Sequence, residues 1–278
     1  GTTLTIATRL TVMGNGTVNT TALTAPIELI KASTLSGTGI LITSGNVGLE
    51  NIVIRGQAGN SGDGVVINGN NCVLRDVSVF GMGNDGIRIG KDTGANSNTF
   101  LLDRVTSSSN TRRGVYIHDS GPNANAGTSI NLFCQFNGED GLRLGKCIRN
   151  AFVGTLCELN ATVDTAAYEI NLFADATENA FFGGDCESNL GKNIKVTDSS
   201  CARNAFYELP HAPAEISDGG HYTSIFNAYT VKSAEFSGNA ATATNISAGT
   251  LAFGKAADTG SIAGGGTNKS LVLYTSQT

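Results

Sequence analysis

Hydrophobic and polar positions along this chain repeat on two scales. On the short scale a small residue heads alternating apolar positions: Gly39-Ile-Leu-Ile42, Gly64-Val-Val-Ile67, Gly86-Ile-Arg-Ile89, Gly114-Val-Tyr-Ile117 and Gly141-Leu-Arg-Leu144. Two looser copies follow, Ala167-Tyr-Glu-Ile170 and Asn193-Ile-Lys-Val196. On the long scale the heads stand 25, 22, 28, 27, 26 and 26 residues apart. A period of about 20–30 residues with one short strand per unit is the mark of a solenoid whose unit is one coil. A second apolar stretch recurs in each unit, and three copies open with the same tripeptide: Asn150-Ala-Phe152, Asn179-Ala-Phe181 and Asn204-Ala-Phe206. Stacked coils pair like strands in parallel, about 4.8 Å apart. Identical Asn and Phe then form columns, the amides hydrogen-bonding between turns and the rings filling the interior. No span shows helical 3.6 periodicity. The pattern predicts an all-β chain: a right-handed parallel β-helix of about eight coils, on the order of 35 to 40 Å long, with Gly219 heading the last.

The pattern also divides the chain. Residues 1–35 alternate apolar and Thr-rich positions (Leu4, Ile6, Leu10, Val12) and read as a lead-in strand and N-terminal cap, which a solenoid needs to cover its first open coil. Residues 36–229 are the coils. Residues 230–278 are low in complexity, as in Ser237-Gly-Asn-Ala-Ala-Thr-Ala-Thr-Asn245, and their short apolar pieces cannot build a core. That segment is expected to serve as a linker or to order by trimerisation.

Composition agrees with many short strands and tight turns: 36 Gly, 4 Pro and no Trp in 278 residues. Charged residues make up 15% of the chain and the net charge is −5, with no basic cluster, which argues against nucleic acid. No apolar run approaches the roughly 18 residues that span a bilayer, so no membrane insertion is expected. A chain opening on Gly1 without a leader-like stretch is expected to be a fragment or a processed product. Of six cysteines, Cys134, Cys157 and Cys186 fill the same slot in successive repeats, each three residues ahead of an Asn. A ladder of buried free thiols is therefore expected rather than disulfides, in keeping with assembly in a reducing cytoplasm.

Two columns carry candidate chemistry. Alternation points the residue between the two apolar positions of each headed strand outward, giving Leu41, Val66, Arg88, Tyr116, Arg143, Glu169 and Lys195. Tyr packs on sugar rings and Arg grips carboxylates, so Arg88, Tyr116, Arg143 and Glu169 are candidate glycan-binding residues. The same row also reads as an ordinary solvated β face. The other column is Gln135, Glu158 and Glu187, each just after a laddered Cys. Glu158 and Glu187 on adjacent coils would stand about 5 Å apart, near the spacing of a retaining glycosidase pair. Such closeness raises one pKa and so separates an acid from a nucleophile. Asp185, two positions before Glu187, would share that face, making Glu158, Glu187 and Asp185 the candidate catalytic residues. They also read as exposed carboxylates splayed into water. Asp63, Asp85 and Asp140, each just before a Gly, are turn residues, joined by Arg113 in the same slot. His118, His211 and His221 are too scattered for a metal site, and no cofactor is expected.

A coiled rod followed by Gly238-Asn-Ala-Ala-Thr-Ala-Thr244 resembles bacteriophage tail spikes and tail fibres, and residues 36–229 resemble the pectate-lyase-like β-helix superfamily. The resemblance implies a homotrimer on the virion tail, assembled in the host cytoplasm, joined to other tail or baseplate proteins and touching a bacterial surface polysaccharide. Signatures of the well-known enzymes on this fold are missing: there is no Asn-Thr-Asp, Asp-Asp, Gly-His-Gly, Asp-x-Asp or Asp-Pro-His, only the partial echo Gly219-Gly-His-Tyr222. Three functions stay open: a glycan-binding adhesin, a capsule or lipopolysaccharide depolymerase, and a purely structural spike segment.

Overall fold

The structure, a computed structural model, describes residues 4–6, 11–13, 27–90, 96–117, 124–187, 193–197, 199–208 and 216–226. By compactness the chain divides into Gly1–Asn239 and Ala240–Thr278; the second unit, and with it the expected trimerisation segment, lies outside the described residues. The first is the parallel β-helix read from the repeat. The headed strands form one nine-stranded parallel sheet, a number slightly different from the expected eight coils. Leu4–Ile6 joins it as an added first rung, in register with Ile40–Ile42. The remaining strands form a twelve-stranded sheet along the other side of the coil.

The second sheet turns a corner at one residue per coil. Asn51, Asp76, Arg104 and Asn131 hold φ of 54°, 52°, 52° and 52°, followed by Gly154 at 63° and Gly183 at 60°. Left-handed backbone at one slot is what swings the strand to a new face, and only Asn and Gly adopt it at little cost. At the less favourable Asp76–Arg104 step the two side chains brace each other, with Arg104 Nε and Nη2 donating to the carboxylate at 2.7 and 2.8 Å.

The interior is a set of columns. Phe152, Phe181 and Phe206 stack with centroids 4.6 and 4.9 Å apart. Beside them Asn150 donates through its backbone N–H and its amide to Asn179 Oδ1 at 3.1 and 3.0 Å, and Asn179 does the same to Asn204. Cys134, Cys157 and Cys186 are in register, and all six cysteines are free and buried. Burial pushes the Cys147 thiol up to about 12, which leaves it unreactive.

A second amide ladder explains the heading glycines. Asn110 donates to Asn137 and Asn137 to Asn160, each through backbone and side chain. The ladder amides press against the head of the preceding coil, so a Cβ on Gly114 would lie 2.7 Å from Asn137 Nδ2, and one on Gly141 2.5 Å from Asn160 Nδ2.

Two expected registers are corrected. Ile170, not Tyr168, pairs with Leu142, so Glu169 rather than Ala167 occupies the head slot and Asn171 takes the outward position. Likewise Ile216 pairs with Ile194, which places Gly219 beyond the strand instead of at its head. A slip of two residues keeps the parity of faces, so alternation alone cannot see it. Burying Ile170 and Leu172 instead of Tyr168 and Ile170 decides it, because aliphatic side chains lose nothing by leaving water whereas the Tyr hydroxyl needs a partner.

Candidate functional site

The outer face of the nine-stranded sheet carries, in register, Leu41, Val66, Arg88, Tyr116, Arg143, Asn171 and Lys195. Much of it is shielded rather than solvated: Val66 is 0% exposed, Tyr116 4% and Arg88 8%. The turn residues Asp63, Asp85, Arg113 and Asp140 are buried beside it. Arg88 and Arg113 hold their guanidinium carbons 4.9 and 4.6 Å from the Tyr116 ring centre, with Arg143 at 5.7 Å. Carboxylates compensate these cations. Arg113 lies 2.9 Å from Glu139 and 3.5 Å from Asp85, while Arg88 lies 3.7 Å from Asp85. Arg143 lies 3.5 Å from Asp140.

Burial pushes the carboxyls of Asp85 and Asp140 above their ordinary range, although the Arg113 charge pulls Asp85 down and the Tyr168 N–H, donating at 2.8 Å, does the same for Asp140. Burial likewise lowers Arg113. Asp85 Oδ2 and the Nε atoms of Arg113 and Arg143 are buried and make no hydrogen bond.

The accessible part of this face lies lower down. Arg143 is half-buried and sits 4.2 Å over the Phe173 ring, and on the following rungs Lys195 Nζ stands 5.1 Å over Tyr168. Between Asn160 and Glu169 the chain takes nine steps where Asn137 to Gly141 takes four. The longer turn hangs on the preceding coil through Ala161, Thr162 and Val163, whose N–H groups donate to Glu139, Asn137 and Gly138. It thereby delivers Tyr168 to the rim of the Arg143 cluster.

Glu169 does not belong to this face. It is 1% exposed and closes the interior amide ladder, with Asn160 donating from its backbone N–H at 3.1 Å and from its side-chain amide. Its carboxylate stands in for the next Asn of the ladder. Burial pushes its pKa to about 7 against the two Asn160 hydrogen bonds, with Glu158 and Asp140 adding to the rise.

The backbone positions of the other column share a register. Glu158 is paired in register with Glu187, and Asp185 with Leu156. Glu187 is exposed and Glu158 half-buried. Partial burial, then Glu187, then Asp185 raise the Glu158 pKa. Asp185 Oδ1 accepts the Cys186 N–H at 2.8 Å. Adjacent carboxyl groups are chemically capable of proton transfer, but these side chains line an open strand surface. One described cleft, of about 190 Å³, lies elsewhere, at the N-terminal end between Leu29, Lys31, Leu35, Ile40 and Ile54. Among the described residues no three His, Cys, Asp or Glu side chains are grouped to hold a metal ion.

Sequence reasoning had Arg113 only as a turn residue and missed Tyr168, Asn171 and Phe173. Phe173 was detectable, since Ile170, Leu172 and Phe173 share one apolar run. Its place over Arg143 depended on the corrected register.

No protein-family model matches the chain, and no curated protein sequence matches it significantly. Similar solved structures include the periplasmic alginate epimerase AlgG, at 11% identity and a TM-score of 0.45, covering 68% of this chain and 47% of that one. The A-module of the mannuronan C-5 epimerase AlgE4 from Azotobacter vinelandii is 14% identical with a TM-score of 0.45, covering 73% and 56%. Full-length tailspike protein 2 from an Escherichia coli O157:H7 bacteriophage is 12% identical with a TM-score of 0.41, covering 65% and 29%. This chain therefore spans about half or less of the length of those chains. At such levels of likeness no residue role carries over.

Proposed function

We propose that this chain is the β-helical trunk of a phage tail-spike or fibre adhesin, carried as a homotrimer on the virion tail, and that it binds a polysaccharide of the bacterial surface. The observation that carries the reading is Arg143: it is half-buried where Arg88 and Tyr116 are shielded, and its guanidinium carbon stands 4.2 Å from the Phe173 ring centre. A guanidinium backed by a ring and partly open to water suits a sugar hydroxyl or carboxylate. Tyr168 and, two rungs beyond Arg143, Lys195 extend the same chemistry, whereas Arg88 and Tyr116 hold the cluster from behind. In this reading Glu169 is interior and does not contact sugar.

The test is retention of the protein on host cells and on immobilised capsule or lipopolysaccharide. Arg143→Ala combined with Phe173→Ala is expected to weaken binding at least tenfold with the circular dichroism spectrum unchanged. Undiminished binding by a folded double variant would remove this face from consideration.

The second reading is a depolymerase, favoured by the register pairing of Glu158 with Glu187 and by the raised Glu158 pKa. In it Glu158 is the acid, Glu187 the nucleophile or base, and Asp185 a further charge that raises the Glu158 pKa. New reducing ends from purified capsule, lost in Glu187→Gln, would establish it; their absence from the unaltered protein would eliminate it.

A further inference from the structure

One outward column of the twelve-stranded sheet changes character part-way along. In continuous register it runs Glu50, Arg75, Asp103, Ile130, Val153, Phe182 and Tyr207. Over the first three rungs it is an ion ladder, with Arg75 placed 3.2 Å from Glu50 and 3.0 Å from Asp103. From Ile130 onward it carries no charge, yet it stays in water: Ile130, Val153 and Phe182 are 37%, 41% and 43% exposed. The residues two positions earlier on these strands are Thr128, Ala151, Ala180 and Ala205, so the larger side chains form a ridge above small neighbours. Contiguous exposed apolar groups of this kind mark contact surfaces.

The geometry narrows the occupant. Phe182 and Tyr207 stack with centroids 4.9 Å apart and planes 3° from parallel, so their faces are turned on each other and their edges point outward. A pyranose packs on a free ring face, and stacking takes up one face of each ring. The ridge runs along the coil axis with one apolar group per inter-strand step of about 4.8 Å. A partner that meets every rung needs apolar groups recurring at that same step, and another copy of this chain lying parallel to it has them by construction. Charge favours the same choice. The chain carries a net −5, and an uncharged ridge lets two copies approach without opposing like charges.

We propose that the ridge Ile130–Val153–Phe182–Tyr207 is the contact between parallel copies of this chain. The proposal rests on the oligomer of the reading above and names its surface. Closed cyclic symmetry about an axis parallel to the coils brings the same rung of each copy together, and the ion ladder of the earlier rungs remains a hydrated rim.

The test uses the full chain, compared by sedimentation velocity with the double variant Val153→Glu, Phe182→Glu. The unaltered protein is expected to sediment as an oligomer, and the variant to associate at least tenfold more weakly with an unchanged circular dichroism spectrum. A photo-crosslinker, p-benzoylphenylalanine in place of Phe182, is expected to join copies at residues around 153, 182 and 207, and it decides the matter should the double variant fail to fold. A monomeric unaltered protein overturns the oligomer and the ridge together. An oligomer that survives both glutamates and gives no inter-copy crosslink at 182 leaves the oligomer standing and overturns the ridge. Loss of glycan binding in the variant with its oligomeric state intact would likewise overturn it, assigning the ridge to sugar instead.

Discussion

The two sheets of this β-helix display charge on their outer faces in opposite ways. On the nine-stranded sheet Asp85, Arg88, Arg113 and Asp140 are almost fully buried and interlocked around Tyr116. On the twelve-stranded sheet the Glu158–Glu187 pair stands at the surface. Both arrangements arise from the same rule, register pairing one coil apart. What differs is water. A charge withdrawn from solvent must be held by its partners, whereas an exposed one is free to titrate against its neighbours. The buried cluster therefore builds the face.

The largest test of that contrast is Arg113→Ala. Removing Arg113 leaves buried Asp85 with Arg88 and buried Asp140 with Arg143, each with one cation fewer, and a loss of about 3–5 kcal/mol in unfolding free energy is expected. Denaturant unfolding followed by circular dichroism measures it; a loss under about 1 kcal/mol would mean that water already reaches the cluster.

Next in size is the pH dependence set by Glu169. Its carboxyl has a folded pKa of about 7 against an ordinary 4.5, so the folded state holds this proton more tightly than the unfolded chain does. Its stabilising contribution is complete below pH 4.5 and is lost as pH rises through 7. At about 1.4 kcal/mol per unit the change amounts to about 3 kcal/mol. Glu169→Gln should flatten this part of the stability profile measured by thermal melting between pH 4 and 9. An unchanged slope would show that another group titrates.

The smallest effect is expected at the exposed pair. Glu187→Gln should move stability by less than about 0.5 kcal/mol. It should also bring the Glu158 titration, followed by carbon-13 NMR, down toward the ordinary carboxylate range, since Glu187 is one of the charges that raise it. A large stability change would place these residues with the buried cluster instead.

Much of the coil was legible in the chain. Gly39 to Gly141 head strands that pair as their spacing demands, and the Asn-Ala-Phe and Cys columns stack because identical residues at one period must meet. The αL corner was harder to read, since Asp76 and Arg104 interrupt a slot otherwise held by Asn51, Asn131, Gly154 and Gly183. Of the candidate binding residues, Arg88, Tyr116 and Arg143 fall in one column as their spacing implied. Glu169 does not, because its turn is longer and a two-residue slip leaves the apolar alternation intact.

By itself the sequence determined that the chain winds, which residues point inward, and which residues share a column. Those follow from period and alternation, which are local and additive along the chain. Only the tertiary structure decided which outward residues meet water. Arg88 and Arg143 have the same place in the same phrase, yet one is shielded and the other half-open. That difference comes from neighbours supplied by other coils, Arg113 from one turn and Tyr168 from a longer one, and no single repeat carries it.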